Sequence, residues 1–217
     1  MQSVVDDKTT TLLAGKAVFL HSLQSFLKTG LIARVVITYR DEAQKIRLET
    51  LLNQAALPAI EVKFIQGGAT RQASVLAALE ACEGHTGWVH IHDAARPLVT
   101  PEAIQKVRQK AVETGAAILA GKAADTIKIA KAHQNEVASS PDRSLVWTAE
   151  TPQVFQTPTI LKAYRLVAAQ GRKVTDDSSA AELVGQEVAL IENPSVNFKI
   201  TRPADLVLAE AILSKSR

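Results

Sequence analysis

Hydrophobic and polar positions along this chain follow two periods that take turns. In Lys16–Lys28, Ala17, Leu20, Leu23 and Leu27 share one helical face, and Gly30 supplies the stop. Arg34–Tyr39 is a β-branched run that predicts a strand, followed by a helix over Asp41–Ala56 with Asp41 as its cap. Ile60–Ile65 predicts a strand leading into Gly67–Gly68, then Arg71–Ala81 a helix and Trp88–His92 a strand. Thr100 caps a helix that has Pro101 in its first position and runs to Thr114, and Ala116–Ala120 is the next strand. Towards the end come helices at Thr159–Ala169, stopped by Gly171, and Asp177–Val184, stopped by Gly185. Strands at Val188–Ile191 and Phe198–Ile200 and a closing helix at Pro203–Leu213 complete the pattern. Alternating strands and helices predict an α/β fold with a doubly wound, mostly parallel sheet, in a single domain spanning residues 1–217.

The alternation breaks between Thr126 and Phe155. T-I-K-I-A and S-L-V-W-T-A read as two strands joined by a long polar turn, Gln134–Arg143. Such a hairpin inserted into a parallel fold projects as an arm, here at about residues 126–150. Its apolar positions, Val146 and Trp147 among them, are covered either by the rest of the same chain or by a second subunit.

Composition narrows the class. Of 217 residues, 47% are hydrophobic and 22% charged, as in globular domains generally, and the net charge is +3. That balance suits an anionic small substrate. Scattered lysines and arginines with only 4% aromatics argue against nucleic acid as a partner. The single Cys82 excludes a disulfide framework and cysteine-based zinc sites, and its place in a helical apolar pattern points to core packing. No apolar run reaches bilayer length and the amino terminus lacks a signal-peptide core, so a cytoplasmic protein without membrane contact is expected.

Candidate chemistry sits at strand ends. Trp88–Pro97, W-V-H-I-H-D-A-A-R-P, is an apolar strand that delivers Asp93 and Arg96 to the carboxyl edge of the sheet, where open α/β folds bind ligands. Asp93 suits a ribose hydroxyl or a metal, and Arg96 a phosphate. G-G-A-T-R-Q-A-S at Gly67–Ser74 joins a strand to a helix and taken alone reads as a tight turn with a cap. It also permits close approach of a ligand, with Arg71 available to a phosphate and Ser74 to a base. Lys8 in its polar segment reads as a solvated charge, whereas Lys199, inside N-F-K-I-T, must either snorkel out or meet an anion. Thr175–Asp177 begins a short helix, where capping and phosphate binding are both open to Thr175. D-T-I-K at Asp125–Lys128 and T-P-Q at Thr151–Gln153 are polar insertions at strand ends. His90 and His92 share a strand face but lack a third ligand, so a structural role is expected for both, and the metal ligands stay unassigned.

In their order these segments resemble the 2-C-methyl-D-erythritol 4-phosphate cytidylyltransferase family. The matches are D-K-x3-L-x2-G-K at Asp7–Lys16, G-G-A-T-R-Q-A-S-V at Gly67–Val75 and H-D-A-A-R-P at His92–Pro97. D-T-I-K at Asp125–Lys128, T-P-Q-x-F at Thr151–Phe155, T-D-D at Thr175–Asp177 and N-F-K-I-T-R-P-A-D-L at Asn197–Leu206 follow. The resemblance implies a Rossmann-like nucleotidyltransferase that joins CTP to a sugar-alcohol phosphate with Mg²⁺, releasing pyrophosphate. It implies that Lys8 and Lys199 flank the α-phosphate, while Gly67, Gly68, Arg71, Ser74 and Asp93 serve the nucleotide. It gives Asp93, Arg96, Thr126, Arg143, Thr175 and Lys199 to the alcohol phosphate. It also implies a homodimer whose arm carries Arg143 into the partner's site. The sister activity on ribitol 5-phosphate uses the same motifs.

The family's opening strand and glycine-rich loop, A-A-G-x-G-x-R-M, has no counterpart before Met1-Gln2. The expectation is a chain lacking that unit, through a start assigned at an internal methionine or through truncation. Truncation leaves a catalytically silent nucleotide-binding dimer as a further reading.

Overall fold

The computed structural model describes residues 7–215. Met1–Asp6, where the family's opening loop would end, lie outside the described residues. The described chain opens with a small antiparallel pair, β1 (Leu12–Leu13) and β2 (Lys16–Ala17), and runs straight into α1 (Val18–Lys28). The helix thus starts two residues later than its periodicity suggests, because Lys16 and Ala17 are pairing with Leu13 and Leu12. Then follow β3 (Arg34–Tyr39), α2 (Glu42–Gln54), β4 (Glu61–Gln66), α3 (Arg71–Glu80), β5 (Trp88–Ile91), α4 (Pro101–Thr114) and β6 (Ala116–Lys122). The arm contains β7 (Ile129–Ala130) and β8 (Val137–Ser139), and the chain continues through β9 (Trp147–Gln156), α5 (Thr157–Ala169), α6 (Asp177–Glu182), β10 (Ala189–Glu192) and α7 (Pro203–Lys215).

Local chemistry accounts for the helix ends. The side chains of Asp41, Thr70 and Thr100 accept hydrogen bonds from the amides of Gln44, Ala73 and Ala103, satisfying N–H groups that the first turn of a helix leaves open. Gly115 closes α4 at φ 88°, a left-handed conformation that costs other residues energy. Helix α2 ends at Gln54, two residues short of expectation, because Ala55 is already extended at ψ 128° ahead of Pro58.

The main sheet has the order β10-β6-β9-β5, and β3 and β4 form a separate parallel pair. Within the main sheet β10 runs parallel to β6, whereas β9 lies antiparallel between β6 and β5. Alternation along β6 splits its buried side chains between two faces. Ala116 and Ile118 join α3, α5 and α6 around Phe155 and Tyr164, while Ala117 and Leu119 join α4 around Val107 and Val154. A further cluster buries α1 and α2 on the β3–β4 pair, with Ala94 against it.

The hairpin between Thr126 and Phe155 departs from expectation. Its turn falls within 131–136, not over Gln134–Arg143, and the S-L-V-W-T-A segment does not pair back on T-I-K-I-A. It makes a short 3₁₀ turn at Arg143–Leu145 and then enters β9. The reason is burial: Thr151 through Phe155 are all buried between β6 and β5, a stronger constraint than pairing two exposed arm strands. Along β9 the register slips, so that Gln153 faces Ile118 but Ala149 faces Ala120. Four steps on β9 therefore match two on β6, and the resulting bulge holds Glu150, Thr151 and Pro152. The arm itself is exposed, with Leu145 78% accessible.

Two other expectations are corrected. Phe198–Ile200 joins no ladder; it is pinned by the Ile200 amide donating to the Ala95 carbonyl at 2.8 Å. Cys82 is not in a helix, because α3 closes at Glu80 and a tight turn follows, leaving the thiol half-buried and its pKa raised by burial. Among the described residues no helix is long and apolar enough to cross a membrane.

Candidate active site

The carboxyl end of β5 opens into His92–Pro97, and charge gathers there as the sequence pattern predicts. Asp93 occupies the centre. Its Oδ1 accepts from Arg71 Nε at 2.9 Å and its Oδ2 from Lys199 Nζ at 2.8 Å. Burial alone would raise the Asp93 carboxyl pKa, but the two cations overcome it and hold the group well below the ordinary carboxylate range. Of the two outcomes open to Lys199, snorkelling out or meeting an anion, the structure shows the second, and the anion belongs to the chain itself.

Arg71, at the start of α3, is held from behind. Its two terminal nitrogens donate to Asp177 Oδ1 at 2.9 Å and Oδ2 at 2.7 Å, and the Tyr164 hydroxyl donates to the same Oδ1. Asp177 is fully buried. Helix α6 is capped not by Thr175 but by Asp176, whose Oδ1 accepts from the Ser179 amide. Gln153, also buried, fixes that turn by donating to Asp176 Oδ2 at 2.8 Å and accepting from the Ser178 amide at 2.8 Å.

A second network organises the loop around Asp93. The Asp93 amide donates to Thr151 Oγ1 at 3.1 Å, and Thr151 Oγ1 lies 3.0 Å from His92 Nδ1. His92 Nε2 lies 3.2 Å from the Arg96 carbonyl, which can only accept. Burial lowers the His92 pKa to about 4, so the ring is neutral at pH 7 and one tautomer satisfies both contacts. The Nε2 proton goes to Arg96, and Nδ1 accepts the threonine hydroxyl.

Arg96 reaches the third segment, donating from one terminal nitrogen to the Asn197 carbonyl at 2.7 Å. Asn197 donates to the Thr151 carbonyl and to Glu150 Oε2, which also accepts from Asn193. The bulge in β9 is what brings Glu150 and Thr151 to this edge.

The Gly67–Gly68 turn is shaped by α3. A Cβ on Gly68 would sit 2.4 Å from the Ala73 Cβ, and one on Gly67 2.6 Å from Ser74 Oγ. Ser74 Oγ in turn accepts from the Gly68 amide at 3.1 Å. The small residues are therefore required by the helix itself, before any ligand is considered.

The remaining expected residues lie further out. Thr175 is exposed and its hydroxyl is 3.0 Å from that of Ser179. Lys8 is half-buried in the turn before β1. Thr126 and Arg143 are exposed at the base of the arm, where Arg143 donates to the Ala124 carbonyl at 2.8 Å. Among the described residues, no hydrogen bond or ion pair joins Lys8, Thr126 or Arg143 to the Asp93 cluster. Nor do three or more His, Cys, Asp or Glu side chains converge there on a common point.

The chain matches the profile of 2-C-methyl-D-erythritol 4-phosphate cytidylyltransferase across residues 2–215. It belongs to that family. A Bacillus mycoides relative of that description is 36% identical over 207 residues, covering 95% of this chain and 89% of its own. The solved structure of the Anaerococcus prevotii 4-diphosphocytidyl-2C-methyl-D-erythritol synthase superposes with a TM-score of 0.86 at 26% identity, covering 95% of this chain and 93% of the other. The Thermus thermophilus cytidylyltransferase gives 0.77 at 30% identity, with the same coverage. As a member of this cytidylyltransferase family the protein is a nucleotidyltransferase, with the Rossmann-like α/β architecture of its structural neighbours.

The structure also shows what reading the sequence alone overlooks. Tyr164, Asp177, Gln153, Glu150, Thr151, His92 and Asn197 all support the Asp93 edge. Thr151 and Gln153 were visible as a polar T-P-Q break in an apolar run, and Asp177 as the last letter of T-D-D. Tyr164 gave no sign, because its spacing from Ile160 and Val167 is that of an ordinary buried helix face.

Proposed function

We propose that this chain transfers CMP from CTP to 2-C-methyl-D-erythritol 4-phosphate, a step of isoprenoid precursor synthesis, in the cytoplasm. The observation that carries the reading is the Arg71–Asp93–Lys199 cluster at the carboxyl end of β5 in a chain of this family. A phosphate oxygen of the alcohol phosphate attacks the α-phosphorus of CTP. The bond from that phosphorus to the β-phosphate oxygen breaks, and pyrophosphate leaves. The nucleophile is already anionic near neutral pH, since the second pKa of a phosphate monoester is about 6. The reaction therefore needs no general base. It needs cations that gather anionic reactants and follow charge onto the leaving oxygen.

Lys199 and Lys8 fill that role at the α-phosphate. The turn at Gly67 and Gly68, with Arg71 and Ser74, receives the nucleotide, and Asp93 lies between ribose and incoming alcohol. Arg96 and Thr175 take the alcohol phosphate, together with Thr126 and Arg143 supplied by a partner's arm. The functional unit is then a homodimer of single-domain subunits joined through residues 126–150. Magnesium fits this donor set as an ion carried in on phosphates. Asp93 is the carboxylate available to it, with a lone pair left on each oxygen after Arg71 and Lys199. Bound there, it would neutralise charge on the triphosphate.

The test is pyrophosphate release from CTP and Mg²⁺ with either methylerythritol 4-phosphate or ribitol 5-phosphate. Turnover with the first and not the second is expected. Preference for ribitol 5-phosphate would reassign the substrate, and no turnover with either would sink the reading.

A further inference from the structure

We propose that Tyr164 and Asp177 form a buried positioning unit for the transfer step, locking the Arg71 guanidinium in one orientation and through it Asp93 and Lys199. The inference rests on the cytidylyltransferase reading and adds two residues to it.

Asp177 is not the cap of its own helix. Asp176 already caps α6, and the partners of the Asp177 carboxylate are Arg71 and Tyr164. A carboxylate with no solvent exposure is costly to a fold unless it is fully paired. Here three donors on two oxygens provide that pairing. Two parallel N–H bonds fix the plane of a guanidinium, where a single bond would let it swing. With the plane fixed, Nε points at Asp93 Oδ1 and nowhere else. Burial opposes the charge on Arg71, but Asp177 and then Asp93 more than restore it, so the guanidinium stays protonated.

Tyr164 does the same for Asp177. Its ring is packed in the core with α3 and α6, and its hydroxyl donates to Oδ1, the oxygen that also accepts from an Arg71 terminal nitrogen. Burial first, and then Asp177, raise the phenol pKa, so it remains a donor at any physiological pH. The result is a line from the core to the sheet edge: Tyr164 on α5, Asp177 on α6, Arg71 on α3, Asp93 after β5 and Lys199 before α7. Charges alternate along its last four members, so Asp177 also keeps Arg71 from drawing Asp93 away from Lys199. Displacements of an ångström at a reacting centre are enough to slow a transfer strongly, which is where such a support acts.

The experiment uses Tyr164→Phe and Asp177→Asn, both close to the parent in volume, in the full chain. The expected result is a fall in kcat of roughly tenfold or more for Asp177→Asn, and less for Tyr164→Phe, as for hydrogen bonds to charged groups. KM for CTP changes less than kcat, since Asp177 and Tyr164 touch no substrate themselves and Arg71 keeps its charge while losing its fixed orientation. In an Arg71→Met background, Asp177→Asn costs no further activity and raises the melting temperature, because it removes a stranded charge. A structural role independent of Arg71 would instead give a multiplicative loss, and that outcome overturns the proposal. The Arg71 Nε–H resonance in ¹⁵N-arginine-labelled protein provides a reading that needs no turnover. It is slow to exchange with water in the parent and fast in both variants. An unchanged resonance and unchanged kcat in Asp177→Asn also overturn the proposal. If the parent makes no pyrophosphate yet the resonance responds, the lock stands and the assigned reaction is what fails.

Discussion

Lys199 Nζ and Asp93 Oδ2 are 2.8 Å apart, although 106 positions of chain separate them. The pair means that the cation assigned to the α-phosphate already rests on a carboxylate, at a defined point, before a nucleotide arrives. Lys199→Ala removes that cation and is expected to lower kcat by about 10²–10³, the usual cost of one well-placed donor to developing charge. Steady-state pyrophosphate release measures it; a kcat within threefold of the parent would remove Lys199 from the chemistry.

Asp93→Asn separates position from charge. The amide keeps one acceptor for Arg71 or Lys199 but no longer neutralises either. Weaker kcat is expected together with a lower melting temperature, since the Asp93 side chain is only 16% exposed and the pKa depression by Arg71 and Lys199 marks a charge that stabilises the fold. Calorimetry beside the kinetic assay checks both halves.

Gly68→Ala should cost more than Gly67→Ala. The first places a Cβ 2.4 Å from the Ala73 Cβ, which cannot rotate away; the second meets Ser74 Oγ, which can. Overpacking of the first kind costs about 1–3 kcal/mol. Urea unfolding of the two variants should therefore rank Gly67→Ala above Gly68→Ala in midpoint, and the reverse order would refute the clash.

Acid should weaken the fold in a defined window. Burial lowers the pKa of both His90 and His92 from 6.5 to about 4. Between those values the unfolded chain takes up protons that the folded chain refuses, so stability is complete above pH 6.5 and falls as pH drops towards 4. Each imidazole contributes roughly 3 kcal/mol at most across the window. His90 has a buried Nδ1 without a partner, and its edge meets Phe26 with ring centroids 5.9 Å apart. His90→Leu should therefore leave the melting temperature at pH 7.5 unchanged or higher and flatten its decline between pH 6.5 and 5. An equally steep decline would show that this histidine is not responsible.

The arm gives two separable outcomes. Leu145→Asp places charge on a side chain 78% exposed in the subunit and is expected to yield monomers without turnover. Arg143→Ala should stay dimeric and still lose activity. Sedimentation velocity together with the assay distinguishes them, and an active monomer would contradict the shared site.

Elements with their own punctuation were legible in the sequence. Thr100, Pro101 and Gly115 bracket α4 with local chemistry alone, and β3 is an uninterrupted β-branched run. Strand β9 was legible only at its start, in S-L-V-W-T-A, because Thr151–Gln153 reads as a polar break, and only the neighbours β5 and β6 turn those side chains into a buried stretch. The site divides in the same way. That Lys199 must snorkel out or meet an anion follows from its apolar flanks, but that Asp93 supplies an anion depends on folding across the whole sheet. Asp177 and Tyr164 are illegible for the same reason: each has an ordinary local explanation, and their pairing exists only in three dimensions.

Strand β9 leaves the arm at Trp147 and enters the sheet interior within the same ten residues, without a hinge glycine between. One run of backbone therefore carries the root of the arm, paired to β6 through Trp147–Ala149, and then Glu150, which holds Asn193 and Asn197, and Thr151, which holds the Asp93 amide. The arm and the groups that shape the Asp93 edge are neighbours along a single strand as well as in space.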